Sequence, residues 1–305
     1  MTQETKAVFA LLGTVILWSL MVVITRIAVT EVHPFTLLFL RLAIASVFFA
    51  PFVWRKKPWK NKKFSYLIKI SPLLMTNVTF FILGIQYTTA SASQLIYAIM
   101  PILVLIASAL FLRQKYHWGK NVGVVVGLMG VVALVFLSAE GKGTTIAGSL
   151  SGNLLIVIAM LGQVSYIILS KNISRVFSAV EISGVAIIIS LLLSIPLVTA
   201  EIIYYHGTIL MPQNGLLAAF YLGFCGTFLT YILQQYAIKR LSTLTVSLTS
   251  YIQPITTAAF EIMLLDEKMT TGFLVGGGLV FLGLFLSTTI EVLHHRMKRV
   301  EVFVE

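Results

Sequence analysis

Ser247, Ser250, Pro254, Thr257 and Glu261 recur at steps of three and four residues in a stretch whose other positions include Leu248, Ile252, Ile255, Ala259 and Ile262. On a helix that spacing puts hydroxyls, a proline and a carboxylate on one stripe and apolar groups on the rest. The proline removes a backbone donor and bends the helix, freeing a carbonyl that hydrocarbon cannot satisfy and a polar chamber can. Pro101 stands in comparable surroundings, with Gln94 and Tyr97 on the corresponding face. Asn77, Phe80, Gln163, Tyr166, Tyr231, Gln234 and the deeply placed Trp18 supply amides, phenols and aromatic surface in other apolar stretches. Each amide or phenol alone also serves as glue between helices, worth about 0.6–2 kcal/mol. As a set they suit a small neutral or zwitterionic molecule better than a phosphate ester, which usually recruits lysine or arginine. No metal-ligand spacing occurs, the five histidines fall in loops and tails, and nothing points to a cofactor.

Composition says what must position these residues. Of the 305 residues, 58% are hydrophobic and 11% charged, with mean hydropathy +0.96. A bilayer core takes about 20 apolar residues per helical crossing. Such runs recur near 7–27, 35–54, 66–86, 91–112, 121–138, 151–170, 179–203, 214–236, 242–265 and 271–290, which predicts an all-α integral membrane protein with ten transmembrane helices. The first run is too long for a signal-peptide core and lacks a cleavage site, so it is expected to be retained. With both termini in the cytoplasm, all but four of the 22 basic residues (Arg26, Arg41, Lys142 and Lys268) fall on the inner side. That asymmetry is the positive-inside rule, so the net charge of +11 reports orientation and attraction to lipid head groups rather than nucleic acid. Cys225, the single cysteine, has no internal disulfide partner.

The chain is expected to be one design used twice. A shift of 153 residues superposes Ile99 on Ile252, Pro101 on Pro254, Lys115 on Lys268 and Gly130 on Gly283; a shift of 145 superposes Pro51 on Pro196. The predicted division is a first five-helix repeat over 1–138, an external linker over 139–150, and a second five-helix repeat with a basic cytoplasmic tail over 151–305. Five crossings per repeat turn the second copy upside down, the inverted plan of many secondary transporters. Glycines at 119, 123, 127 and 130 and at 272, 276, 277, 278 and 283 give the fifth and tenth helices small faces for close packing.

Two charges draw notice within the spans. At 1.5 Å per residue, Arg41 lies about 9 Å below the outer end of the second span and Glu261 about 7 Å below that of the ninth. The shared depth suggests that the two face each other near an outer gate, with protons as a coupling partner. The plainer alternative is that Arg41 snorkels or caps helix ends and Glu261 reaches the outer interface.

The segments "ILWSLMVVITR", "HPFTLLFLRLAIA", "QYTTASASQLIYAIMPILVLIASALFL" and "LLDEKMTTGFLVGGGLVFLG" resemble the drug/metabolite transporter superfamily, EamA type, over about residues 7 to 290. The resemblance implies a carrier in the cytoplasmic membrane that moves amino acids, related metabolites or drugs, usually outward. The spacing and residue types, read together, give a substrate chamber lined by Trp18, Asn77, Phe80, Gln94, Tyr97, Gln163, Tyr166, Tyr231, Gln234, Ser250 and Thr257, with Arg41, Pro101, Pro254 and Glu261 in coupling and gating. A channel lacks its filter segment here, and an intramembrane enzyme its nucleophile and base.

Overall fold

The computed structural model describes residues 2–100, 102–104, 106–107, 121–137, 149–207, 212–238, 240–241, 249–266, 274–283 and 285–286, and contains no strand among them. Five long helices are α1 (Gln3–Glu31), α2 (Pro34–Lys56), α3 (Phe64–Ile85), α6 (Leu150–Lys171) and α7 (Ala179–Tyr204). A sixth, α8, is built of an α segment (Gln213–Phe220), a π-helical segment (Tyr221–Leu229) and a second α segment (Thr230–Ile238). These six are long and apolar enough to cross a membrane. Shorter described pieces stand at the other expected crossings: α4 (Ala90–Ala98), α5 (Asn121–Leu137), α9 (Thr249–Leu265) and α10 (Leu274–Gly283). Pro101, Lys142 and Ser247 lie outside the described residues.

Local chemistry sets several helix starts. Thr2, Thr89, Ser149 and Ser178 each accept a backbone N–H with a side-chain oxygen at the N-cap of α1, α4, α6 and α7. At α7 the reciprocal Ser178–Glu181 capping box is complete. Helix α2 instead begins with His33 and Pro34, without a side-chain cap, and ends at Lys57, whose φ of 50° breaks the helix.

The two halves of the chain are interleaved. The main contacts pair α3 with α6, α2 with α7, α3 with α7, α1 with α9, α1 with α8, and α4 with α9. Within this arrangement Phe49, Leu37, Leu38, Leu42, Ile82, Leu95 and Ile96 are almost fully buried. Phe9, Ile16, Val47, Leu192, Ile255 and Met263 are exposed, as suits side chains that face lipid tails rather than water.

Glycines mark the closest approaches. A Cβ on Gly130 would come within 2.5 Å of the Val280 nitrogen, and one on Gly283 would strike the backbone of Gly127. The small faces expected on the fifth and tenth helices therefore meet each other, and no rotamer change relieves a backbone clash. Gly130→Ala and Gly283→Ala are each expected to lose about 1–3 kcal/mol by overpacking. Gly278→Ala, where an added Cβ meets nothing within 4 Å, should be neutral. Thermal unfolding of the three purified variants in detergent checks this; equal melting of all three would refute it.

Candidate functional site

Among the described residues, four charged side chains within the spans or near their predicted outer ends, Glu261, Glu201, Arg26 and Arg41, are wholly or partly buried, and three are matched by complementary backbone groups. Glu261 of α9 is fully buried, and its carboxylate accepts the amides of Ala90 at 2.6 Å and Ser91 at 2.7 Å. These are the first two amides of α4; the third, from Ala92, goes to the Thr89 hydroxyl and the fourth, from Ser93, to the Thr89 carbonyl. The amides of Ala90, Ser91 and Ala92, which have no partner within the helix, are thus satisfied, with the negative charge on the positive end of the helix dipole.

Glu201 of α7 does the same for α2. Its carboxylate accepts the amide of Phe35 at 3.0 Å, the amide of Thr36 at 2.7 Å and the Thr36 hydroxyl at 2.8 Å. Pro34 has no amide to satisfy, and the Leu37 amide goes to the His33 carbonyl. Arg26 of α1 donates to the carbonyls of Ile85 at 3.1 Å and Gln86 at 2.7 Å, at the opposite pole of a dipole, where α3 ends.

Arg41 differs from these. It is 8% exposed, its Nε donates to the Thr227 hydroxyl at 3.1 Å, and an Nη lies 3.4 Å from the Met21 sulfur. The expected meeting of Arg41 with Glu261 is corrected here: Glu261 is held by the Ala90 and Ser91 amides, with Arg26 as the cation in electrostatic range, whereas Arg41 contacts Thr227 and Met21 and lies in electrostatic range of Tyr97. Equal depth in two helices does not make them neighbours; α9 packs on α1 and α4, whereas Arg41 looks toward α1, α4 and the π segment of α8.

From Tyr97 the polar groups continue inward. Asn77 donates through Nδ2 to the Tyr97 hydroxyl and to the carbonyl of Ala159, 2.9 Å away. Ala159 and Gln163 are one turn apart on α6, so the Gln163 side chain follows on the same face. Its Oε1 is buried with no hydrogen-bond partner among the described residues. Hydrogen bonds thereby link Tyr97 of α4, Asn77 of α3 and the Ala159 carbonyl of α6, with Gln163 one turn farther along α6 and Arg41 of α2 in electrostatic range of Tyr97.

Other candidates are placed differently. Tyr166 and Tyr231 donate to the Ile182 and Ala179 carbonyls, so they anchor the first turns of α7. Thr257 is buried and bonds the Gln253 carbonyl of its own helix, which also receives the Ser19 hydroxyl of α1 at 3.2 Å. That pair of hydroxyls sits immediately before Pro254, itself inside α9 and buried. Trp18 and Phe80 are half-buried against the core, Gln94 is buried, and Gln234 is half-buried. The Ser250 side chain and Pro101 fall outside the description. An open groove of about 270 Å³ lies elsewhere, at the connections following α2 and preceding α7, lined by Lys56, Lys57, Lys60, Asn61, Phe177 and Glu181 among others.

Glu201 was missed by sequence reasoning, and Arg26 was counted only for its side of the membrane. A usable signal existed for the first: α2 opens on His-Pro, with no Ser, Thr, Asn or Asp to cap it, while a lone carboxylate ends an apolar run elsewhere.

The sequence matches the EamA-like transporter family over residues 5–136 and again over residues 150–289. The chain belongs to this family. Among similar proteins, an uncharacterized transporter of Archaeoglobus fulgidus is 24% identical, covering 90% of this chain and 95% of its own. A "Probable terminal-alkyne amino-acid exporter" of Streptantibioticus cattleyicolor is 24% identical, over 92% of this chain and 93% of its own. A "Probable amino-acid metabolite efflux pump" of Escherichia coli is 23% identical, over 90% and 91% respectively. A solved crystal structure superposes with TM-score 0.64 at 17% identity, covering 94% of this chain and 97% of that one, which shows a shared fold. A multi-pass membrane transporter of this family acts on a small molecule within a lipid environment.

Proposed function

We propose that the protein is a secondary transporter that moves an amino acid or a related metabolite across the cytoplasmic membrane by alternating access, in the direction of export. The observation that carries this reading is the polar series from Tyr97 through Asn77 to Gln163, whose buried carbonyl has no described partner inside a membrane protein. A polar acceptor left open among apolar helices costs free energy that an amine-bearing substrate recovers on binding. The names of the Streptantibioticus and Escherichia relatives support amino-acid-like cargo and outward direction.

Two inverted five-helix repeats, over 1–138 and 151–305, account for the mechanism. The double match to the family supports the duplication, and so does the pairing of helices: exchanging the halves turns the α3–α6 contact into α8–α1 and α1–α9 into α6–α4, all of which occur. Symmetry of this kind offers two similar conformations, one open to each side. With both termini cytoplasmic, Glu201, Glu261 and Arg26 all act at the outer ends, and their contacts there support a state closed outward. Glu261, clamped on the start of α4 beside Arg26, is the gating carboxylate, and its protonation releases the clamp.

Counterflow in proteoliposomes tests the reading. Vesicles preloaded with each of the twenty amino acids in turn are expected to draw in the labelled counterpart for at least one of them, with saturation. Flux that rises without saturation would make the protein a channel, and no flux for any of them would sink the amino-acid reading.

A further inference from the structure

We infer that Arg41 is the anchor for a carboxylate on the substrate, an inference that rests on the amino-acid reading above. A charge near the middle of a membrane helix costs about 2.5–3.5 kcal/mol on insertion scales, so such charges find partners. The other charges in this zone have found them: Glu201 holds two amides and a hydroxyl, Glu261 two amides, and Arg26 two helix-end carbonyls. Arg41 is as buried as Glu201, yet its contacts are one neutral hydroxyl and one thioether, a weak acceptor. It makes no ion pair among the described residues, and the two carboxylates inside the spans are already committed to helix starts.

The surroundings fit a ligand rather than a missing counter-ion of the protein. Arg41 is the eighth residue of α2 and Tyr97 the eighth of α4, which puts both about 10 Å from their helix starts, and the two side chains lie within electrostatic range of each other. Tyr97 leads through Asn77 toward the open carbonyl of Gln163. One end of the series is a guanidinium, whose planar fork matches a carboxylate in two parallel hydrogen bonds; the other end is an acceptor that suits an ammonium. A cation at one end and an open acceptor at the other complement a molecule that carries both a carboxylate and an ammonium.

A second feature singles out the same place. Thr227, which holds Arg41 Nε, lies in the nine-residue π-helical segment of α8 and donates its own proton to the Leu222 carbonyl five residues back. π-Helical turns are rare and concentrate at functional sites. Here the wider turn presents the Thr227 oxygen to the guanidinium. The Arg41 backbone is equally close: a Cβ on Gly223 would come within 2.8 Å of the Arg41 carbonyl oxygen. Arg41 is therefore oriented by α8, with the remainder of its fork left for a ligand.

The test compares acids with their amides. Each of the twenty amino acids, its carboxamide, butanoate and benzoate are titrated against the purified full-length protein in detergent, with ligand-induced thermal stabilisation as the readout. The acid that binds wild type best is expected to bind at least tenfold more tightly than its carboxamide. Arg41→Gln should bind acid and amide equally within about twofold, and Arg41→Lys should keep part of the preference, because a point charge replaces a fork. Without ligand, Arg41→Gln should melt no lower than wild type, since it removes a buried ion that lacks an ionic partner. Amides binding as well as acids, or an acid preference surviving in Arg41→Gln, would overturn the anchor. Stabilisation by butanoate or benzoate but by no amino acid would keep the anchor and overturn the amino-acid reading; stabilisation by none of the acids would overturn both.

Discussion

A cysteine introduced at Ser93 in a Cys225→Ser background will react with an impermeant thiol reagent from the outer side roughly a hundredfold faster once Glu261 is replaced by alanine. Ser93 is fully buried on α4, the helix whose first two amides Glu261 holds. Hydrogen bonds to a charged group contribute about 1.5 kcal/mol or more each, so losing both weakens the closed arrangement by about 3 kcal/mol, or two factors of ten. Glu261→Gln keeps one carbonyl acceptor and loses the charge, so its expected acceleration is nearer tenfold. In proteoliposomes the Glu261→Gln protein should also lose accumulation driven by a pH gradient while exchanging substrate at equal pH. A cysteine at Lys60, on the opposite side in the proposed orientation, should stay unreactive toward the external reagent throughout. Equal Ser93-site rates in all three proteins would show that Glu261 does not hold the outer face shut.

Glu201→Ala will act on stability instead of on opening. Its carboxylate satisfies two amides and a hydroxyl at the start of α2, a helix with no cap of its own, and α2 and α7 are packed together along much of their length. Farther along the same pair, a Cβ on Gly184 would meet the Val53 side chain at 2.6 Å, so the interface offers little room to separate. Truncating one member of a buried, charge-assisted cluster typically costs about 3–5 kcal/mol, because its partners stay buried and unsatisfied. Thermal unfolding in detergent should therefore show a large loss for Glu201→Ala and a smaller one for Glu201→Gln. Adding Thr36→Val should cost less in the Glu201→Ala background than in wild type, since the hydroxyl has already lost its acceptor. Wild-type stability of Glu201→Ala would refute the assignment.

The contrast between these two glutamates shows where sequence reasoning reached its limit. Apolar runs of about 20 residues and the one-sided distribution of lysine and arginine follow from the bilayer as solvent, and they are local properties of the chain. The glycines of α5 and α10 were legible for the same reason: helical spacing puts small residues on one face, and the packing of Gly130 on Val280 and Gly283 on Gly127 uses that face. The presence of ions at Arg41 and Glu261 inside apolar runs was equally plain, as was the polar stripe that ends in Glu261. What the sequence by itself determined, then, was which segments enter the membrane, which of their faces are small or polar, and that two buried charges need partners. Only the tertiary structure decided the partners. Glu261 and Glu201 bond to backbone amides, and Arg26 to backbone carbonyls, groups that nearly every residue carries and that no residue type announces. Those groups belong to helices up to 171 positions away in the chain, brought together because the two halves interleave. The same packing turned Arg41 toward Thr227 and Tyr97 and away from Glu261: depth in a bilayer fixes one coordinate of a side chain, and the neighbours of its helix fix the other two.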